Sequence, residues 1–161
     1  MAIYFKYGKI KGDSTEQKHK GSDGWQVAHS CSFNVSRHIN TPTGNTQDRT
    51  AQHANVSDIM LTKTQNTVSS EFFKEATAGK GCDCIIEYVQ DGAEHGQPFM
   101  KLTLKNAMIS HWSSGSSGDR PSESLSISFT EIEVGTTEYN AKGDVVTSTK
   151  GSFNISEVKT A

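Results

Sequence analysis

Residues Ser57 to Lys80 read SDIMLTKTQNTVSSEFFKEATAGK, and the fold class turns on this stretch. Ile59, Met60, Leu61 and Thr62 have strand character. After them the spacing changes. Val68, Phe72, Phe73 and Ala76 form an apolar stripe at helical intervals. Asn66 or Thr67 can cap the helix by accepting from an orphan backbone N–H, so it is predicted to begin near Thr67 or Val68. Gly79 and Gly81 supply the stop. The two phenylalanines read as a helix packing on a sheet rather than as a cofactor pocket. Everything on either side reads as strand and turn, so the chain is predicted to be mainly β with one flanking helix.

Upstream, Ile3, Phe5 and Tyr7 alternate with Tyr4 and Lys6, as in a half-buried strand. A polar loop begins at Gly12 and runs to Asp23. Then Trp25, Val27, His29, Cys31, Phe33 and Val35 alternate with Gln26, Ala28, Ser30, Ser32, Asn34 and Ser36. Period two over this length predicts one strand with an apolar face and a small polar face. His29, on the apolar face, is expected to be a satisfied core residue. Ser30, Ser32, Asn34 and Ser36 carry no charge, so their face reads either as the lining of a wet channel or as an ordinary solvated surface. Asn40 to Asn55 has no periodicity and is expected to be a long loop of the kind that orders against a neighbour. Its candidate contacts are Thr43, Gly44, Asn45, Gln47, Asp48 and Arg49.

Downstream, Cys82 to Val89 is expected to be a strand apolar on both faces, turning at Asp91-Gly92. Phe99 to Trp112 is a long strand, also apolar on both faces. Ser113 to Ser122 reads as a flexible Gly/Ser loop. Leu125, Ile127 and Phe129 alternate, but the phase shifts at Ile132 and Val134, which predicts a bulge or burial of both faces. Ala141 to Asp144 is a hairpin turn around Gly143, and a last strand lies around Phe153 and Ile155.

The 161 residues suit one domain, 1–161, with a real core. Net charge is −2, which leaves no basic field for nucleic acid. No apolar run reaches the roughly 18 residues that a membrane span needs. Lys6, Lys9 and Lys11 fall inside or after the apolar start, unlike a signal peptide. Cys31, Cys82 and Cys84 make no disulfide framework, so a reducing compartment is the simplest reading. Cys82-x-Cys84 lacks a second Cys/His pair and reads as two core thiols rather than a metal site. The six histidines form no ligand motif. No GxSxG elbow is present, and GSSG at 115–118 precedes no helix that would cradle phosphate. Neither an enzyme nor a cofactor is expected.

Gly12, Ser14 and His19 fall at a Gly-x-Ser-x-Asp-x-x-His spacing, with Glu16 in the Asp place. Thr62 and Lys63 end the strand before the helix. Ser69, Phe72 and Phe73 open the helix, and Gly79 ends it. Ser110, the Ser113–Gly118 loop, Glu123, Leu125 and Phe129 follow in order. On these residues, spread over nearly the whole chain, the sequence resembles the haemolysin-coregulated protein (Hcp) family, the inner tube of the bacterial type VI secretion system. It departs from the family at Ser70 (usually proline), Asn66 (usually aspartate) and Phe153 (commonly tryptophan), and the Asn40–Asn55 loop is not glycine-rich.

The resemblance implies two sheets closed into a compact β-barrel with a flanking helix. It implies homohexameric rings stacked into a tube, with sheath, spike and effector proteins as partners and no membrane insertion. Such a tube is cytoplasmic before firing and is then secreted without a cleaved leader, in bacterial virulence or competition. The serine face would be the lumen that carries effectors. The alternatives are a tail-tube protein of a contractile phage-like particle, or a monomeric ligand-binding β-barrel.

Overall fold

A computed structural model describes residues 1–39, 43–44, 53–90 and 96–160. The strands are β1 (Ala2–Tyr7), β2 (Trp25–Ala28), β3 (Ser30–Ser32), β4 (Val35–Ser36), β5 (Asn55–Val56), β6 (Ile59–Thr64), β7 (Cys82–Gln90), β8 (Gln97–Gly115), β9 (Ser122–Ser128), β10 (Glu131–Tyr139), β11 (Val145–Asn154) and β12 (Lys159–Thr160). The helix, α1, is Ser69–Ala78.

Strand β8 organises the molecule. Its first half pairs with β7 on one side and β10 on the other, within the order β12-β11-β10-β8-β7-β1-β2. Its second half pairs with β9, in a four-stranded sheet β3-β6-β9-β8. The change of sheet falls at Asn106, whose φ is +49°, a left-handed conformation that asparagine tolerates better than most residues. Gly81 lies against it, where a Cβ would collide with the Asn106 side chain.

The expected closed barrel is not found. The two sheets meet through strands that pass from one to the other, and no single ladder runs round them. The physical reason is visible at His29. β2 pairs with β1 and β3 pairs with β6, so the chain changes partners between Ala28 and Ser30. The predicted single strand from Trp25 to Val35 is therefore three short ones. The phase reverses with it: Gln26 and Ala28 are buried in β2, while Val27 and His29 are exposed. His29 is not a core residue. It bonds Thr64 Oγ1 at 2.6 Å at the surface.

The core gathers Ile3, Phe5 and Tyr7 of β1, Ile59 and Leu61 of β6, Ile86 of β7, Leu102 and Leu104 of β8, and Leu125 and Ile127 of β9. Phe72 joins them from α1. Cys84 is fully buried there and Cys82 half-buried. The helix starts at Ser69. The Asn66 side-chain oxygen accepts from the Val68 N–H (3.3 Å), and Ser69 Oγ accepts from the Asn66 N–H (3.0 Å). Asn66 thus secures the helix start from three residues before it. Gly79 ends the helix in an extended conformation (φ −67°, ψ 157°) rather than a left-handed cap. The phase shift after Phe129 is a change of partner: β9 pairs with the second half of β8, β10 with the first. Part of the expected Gly/Ser loop belongs to strands, since β8 runs on to Gly115 and β9 begins at Ser122. The Asp91-Gly92 turn lies outside the described residues.

Candidate functional site

In the four-stranded sheet, alternate residues of each strand face outward. Ser30 of β3 stands opposite Thr62 of β6, Thr62 opposite Ser124 of β9, and Ser124 opposite Ser113 of β8. One step along, Ser32, Met60, Ser126 and His111 make a second row. Thr64 and Ser122 extend the face at one end and Ser128 and Met108 at the other. No outward position in these rows carries a carboxylate, lysine or arginine. Ser30 Oγ and Thr62 Oγ1 bond each other at 2.6 Å across the strands, a cross-strand hydroxyl pair.

The inward rows of the same strands explain how this face is held. Cys31, Leu61, Leu125 and Trp112 stand in one row, and Ile59, Ile127 and Ile109 in another. Next comes an ion pair, Lys63 on Glu123 at 2.9 Å, with both side chains 1% exposed. Lys63 Nζ also donates to the Thr64 carbonyl and to Asn66 Oδ1. All three ammonium protons are therefore used, which is what a buried lysine needs to stay charged. Asn66 passes the network on by donating from Nδ2 to Gln26 Oε1 (3.2 Å).

A second polar cluster pins the loop between β1 and β2. His19, 3% exposed, has Nδ1 at 2.8 Å from Glu16 Oε2 and Nε2 at 2.7 Å from Glu87 Oε2. With an acceptor at each ring nitrogen, both contacts are hydrogen bonds when both nitrogens carry protons. The ring stacks on Tyr4 (4.5 Å) and meets Trp25 edge-on (4.7 Å). Lys101 pairs with the other oxygen of Glu87 at 3.0 Å. Partial desolvation works against the Glu16 carboxylate. Its hydrogen bonds from the His19 ring and from the His19 and Lys18 N–H groups outweigh that and hold its pKa below the usual value.

Beside the Lys63–Asn66 cluster lies a cleft lined by Asp13, Ser14, Thr15, His29 and Thr64; Ser14 Oγ accepts there from the Glu16 N–H, and His29 and Thr64 bond each other. Burial pushes the thiols of Cys31, Cys82 and Cys84 up, which disfavours both nucleophilic attack and metal ligation. Among the described residues, no group of three or more His, Cys, Asp or Glu side chains could hold a metal ion.

Of the residues expected on the serine face, Ser30 and Ser32 lie in the four-stranded sheet. Asn34 and Ser36 are exposed but lie beyond it: Ser36 pairs with Asn55 in the β4–β5 hairpin, and the Asn34 backbone bonds Ser57. Thr43 and Gly44 form an exposed turn, with φ +76° at Gly44. Asn45, Gln47, Asp48 and Arg49 lie outside the described residues. The sequence reading missed Thr62, Thr64, Ser124, Ser126 and Ser113 as members of the face. A signal for them existed in the alternation of Ser122, Ser124, Ser126 and Ser128.

A family model described as "Type VI secretion system effector, Hcp" matches residues 4–135. The chain belongs to the Hcp family. Its fold is shared with a solved structure described as a type six secretion system protein, at 19% identity and a TM-score of 0.88, covering 99% of both chains. Hcp1 from Salmonella typhimurium shares 17% identity over 99% of this chain and 98% of that one, with a TM-score of 0.77. The secreted protein Hcp3 from Pseudomonas aeruginosa follows at 14% identity, coverage of 95% and 97%, and a TM-score of 0.61. No curated protein sequence matches.

The residues that carried the Hcp resemblance now have structural reasons. Gly12 accepts no side chain, because a Cβ would run into the Trp25 carbonyl. Ser14, Glu16 and His19 build the loop clamp, with the Glu16 N–H donating to Ser14 Oγ. Lys63 and Glu123 are the buried pair, and Ser69 bonds Asn66 where the helix starts. These Hcp positions hold the scaffold together. Among the described residues, no helix is long and apolar enough to cross a membrane.

Proposed function

We propose that this chain, a single domain over residues 1–161, is the subunit of a secreted tube. Six copies close into a ring, rings stack, and the hydroxyl-rich sheet faces the lumen. The observation that carries the reading is the state of the two outer strands of the four-stranded sheet. Among the described residues, β3 and the second half of β8 each have one side without a strand partner. Successive strands in this sheet are antiparallel, so β3 and β8 run in opposite directions. A copy rotated about an axis along the strands would lay its β3 antiparallel beside β8 and continue the sheet. That contact is heterologous, and repetition of a heterologous contact closes a ring when its rotation divides the full turn. The number six comes from the family resemblance.

The uncharged face supports the lumen assignment. A charge on a lumen wall is repeated by every copy and builds a strong field in the channel. Serine and threonine avoid that field while still offering hydrogen bonds to transient cargo. Sheath and spike proteins are the expected partners outside the channel. The 40–55 loop would reach the next ring or subunit, with Thr43, Gly44, Asn45, Gln47, Asp48 and Arg49 as its contacts. The tube assembles in the cytoplasm and leaves by contraction. Light scattering and negative-stain imaging of the purified chain test the reading. Particles of six-chain mass with an open centre are expected, and monomers at all concentrations and in the presence of the sheath would refute it.

A further inference from the structure

Two exposed histidines stand on the hydroxyl face, one near each border of the four-stranded sheet. His29 lies at the bend that leads into β3 and bonds Thr64 Oγ1 at 2.6 Å. His111 of β8 stands opposite Ser126 of β9. The other side chains of the outward rows are serine, threonine and methionine, none of which changes charge near neutral pH. Histidine ordinarily does so between about pH 5 and 8. The charge of this face is therefore set by two side chains per copy.

Their surroundings accommodate either charge state. The Thr64 hydroxyl can donate to a neutral Nε2 or accept from a protonated one, so His29 gains a proton without losing its partner. Among the described residues neither ring is bonded to a carboxylate. His19 is the contrast: it is buried, with a carboxylate at each ring nitrogen. The charged groups beside His29 are Asp13 of the β1–β2 loop and Lys63 of β6, which line the same cleft, and Lys63 is held by Glu123. Near His111, Asp58 accepts from Ser110 Oγ, and Glu123, which pairs with Ser114 across the strands, is buried. Helix α1 packs on the Trp112 side of β8, away from the hydroxyl face.

We propose that His29 and His111 switch the hydroxyl face from neutral to cationic on acidification, so that it holds anionic polypeptide at low pH and releases it as pH rises. The inference rests on the lumen reading and goes further by naming the residues that set cargo affinity and the charge of the cargo they favour. In a ring, both positive charges are repeated by every copy around one channel. A concave wall of one sign focuses its field and concentrates the opposite charge. An aspartate- or glutamate-rich segment is thus drawn in, and a lysine-rich one is repelled.

The test titrates a fluorescent oligo-aspartate peptide against the full-length chain in low salt, at about pH 8 and about pH 5.5, with native mass read by light scattering on the same samples. Aspartate is charged at both pH values, so a change in binding reports on the protein. Binding about fivefold tighter at the lower pH is expected, and salt at about 0.5 M should abolish the gain. The double variant His29→Gln, His111→Gln should lose the gain. His38→Gln should keep it, because His38 is exposed but follows β4, beyond the sheet. Both replaced side chains are exposed, so melting temperatures close to the unaltered chain are expected. If the double variant is unfolded, His111→Gln alone is read, and it should lose part of the gain. No gain in the unaltered chain, or a full gain in the folded double variant, overturns the switch; six-chain particles in those samples leave the ring reading standing. A chain that stays monomeric yet shows the gain, and loses it in the double variant, supports the switch and overturns its placement in a lumen.

Discussion

The outward residues of the sheet β3-β6-β9-β8 are mostly hydroxyls, among them Ser30, Ser32, Thr62, Ser113, Ser124 and Ser126, with Met60, Met108 and His111 between them. On the other sheet the outward face is built from charge pairs. Lys101 meets Glu87 at 3.0 Å, Lys105 meets Asp83 at 2.9 Å, and Lys150 meets Glu133 at 3.1 Å. Both faces sit on the same pleat and share strand β8. Lys105–Asp83 and Lys150–Glu133 resemble a surface built for bulk water, where such pairs contribute solubility and little stability, while Glu87 is covered by the His19 loop. The hydroxyl face has no such pairs and concentrates its one ion pair, Lys63–Glu123, on the inward side. Charge is thus placed inside one sheet and outside the other.

The sharpest way to break this contrast is Lys63→Met. Glu123 would be left buried and unpaired, and the expected loss is about 3–5 kcal/mol in denaturant unfolding. The double variant Lys63→Met, Glu123→Leu should recover most of it. A single variant costing under about 1 kcal/mol would show that the pair is not holding the sheet.

The bend in β8 comes next. Asn106→Val puts a β-branched residue at φ +49° and should cost about 1–3 kcal/mol, read as a lower melting temperature. Asn106→Gly should cost far less.

Removing the loop clamp by Glu16→Gln should have a smaller effect and a pH signature. The Glu16 carboxyl is held below its ordinary value in the fold. Its stabilisation is therefore present above the unfolded-state pKa and fades as pH falls through the folded one. The unaltered chain should lose stability on acidification below about pH 4.5 more steeply than Glu16→Gln, and should show faster hydrogen exchange at the Gly12 and Gly21 amides as it does. Parallel stability curves would argue against the clamp.

The smallest effect on folding is expected for Ser124→Lys on the hydroxyl face, within about 0.5 kcal/mol of the unaltered chain. Its consequence should appear instead in ring mass or in the cargo that co-purifies. A variant that leaves both unchanged removes the case for a functional face there.

The helix was legible because Val68, Phe72 and Ala76 are spaced for burial and Gly79 stops them. β1 was legible because both of its faces keep one partner sheet. The segment from Trp25 to Val35 was misread because its alternation looks continuous, while its hydrogen-bonding partner changes from β1 to β6 at His29. A change of partner reverses which residues face the core, and no local pattern announces it. Closure into a barrel was misjudged for the same reason. The residue types at 63 and 123 gave no sign of burial, since lysine and glutamate are ordinarily solvated. Only their cross-strand register brings them together. The serine face was half legible: Ser30 and Ser32 alternate openly, but Ser124 and Ser126 join them through pairings that span about 90 residues of chain.

Strand β8 runs unbroken for 19 residues, Gln97–Gly115, a contour of about 60 Å. It is hydrogen-bonded to β7 and β10 along one half and to β9 along the other. A pull along this strand does not unzip the ladders one bond at a time. It loads many of them together, in shear, and hands tension from one sheet to the other through a single covalent backbone. A subunit thrust forward at one end would transmit the stroke through this spine before any side-chain contact had to yield.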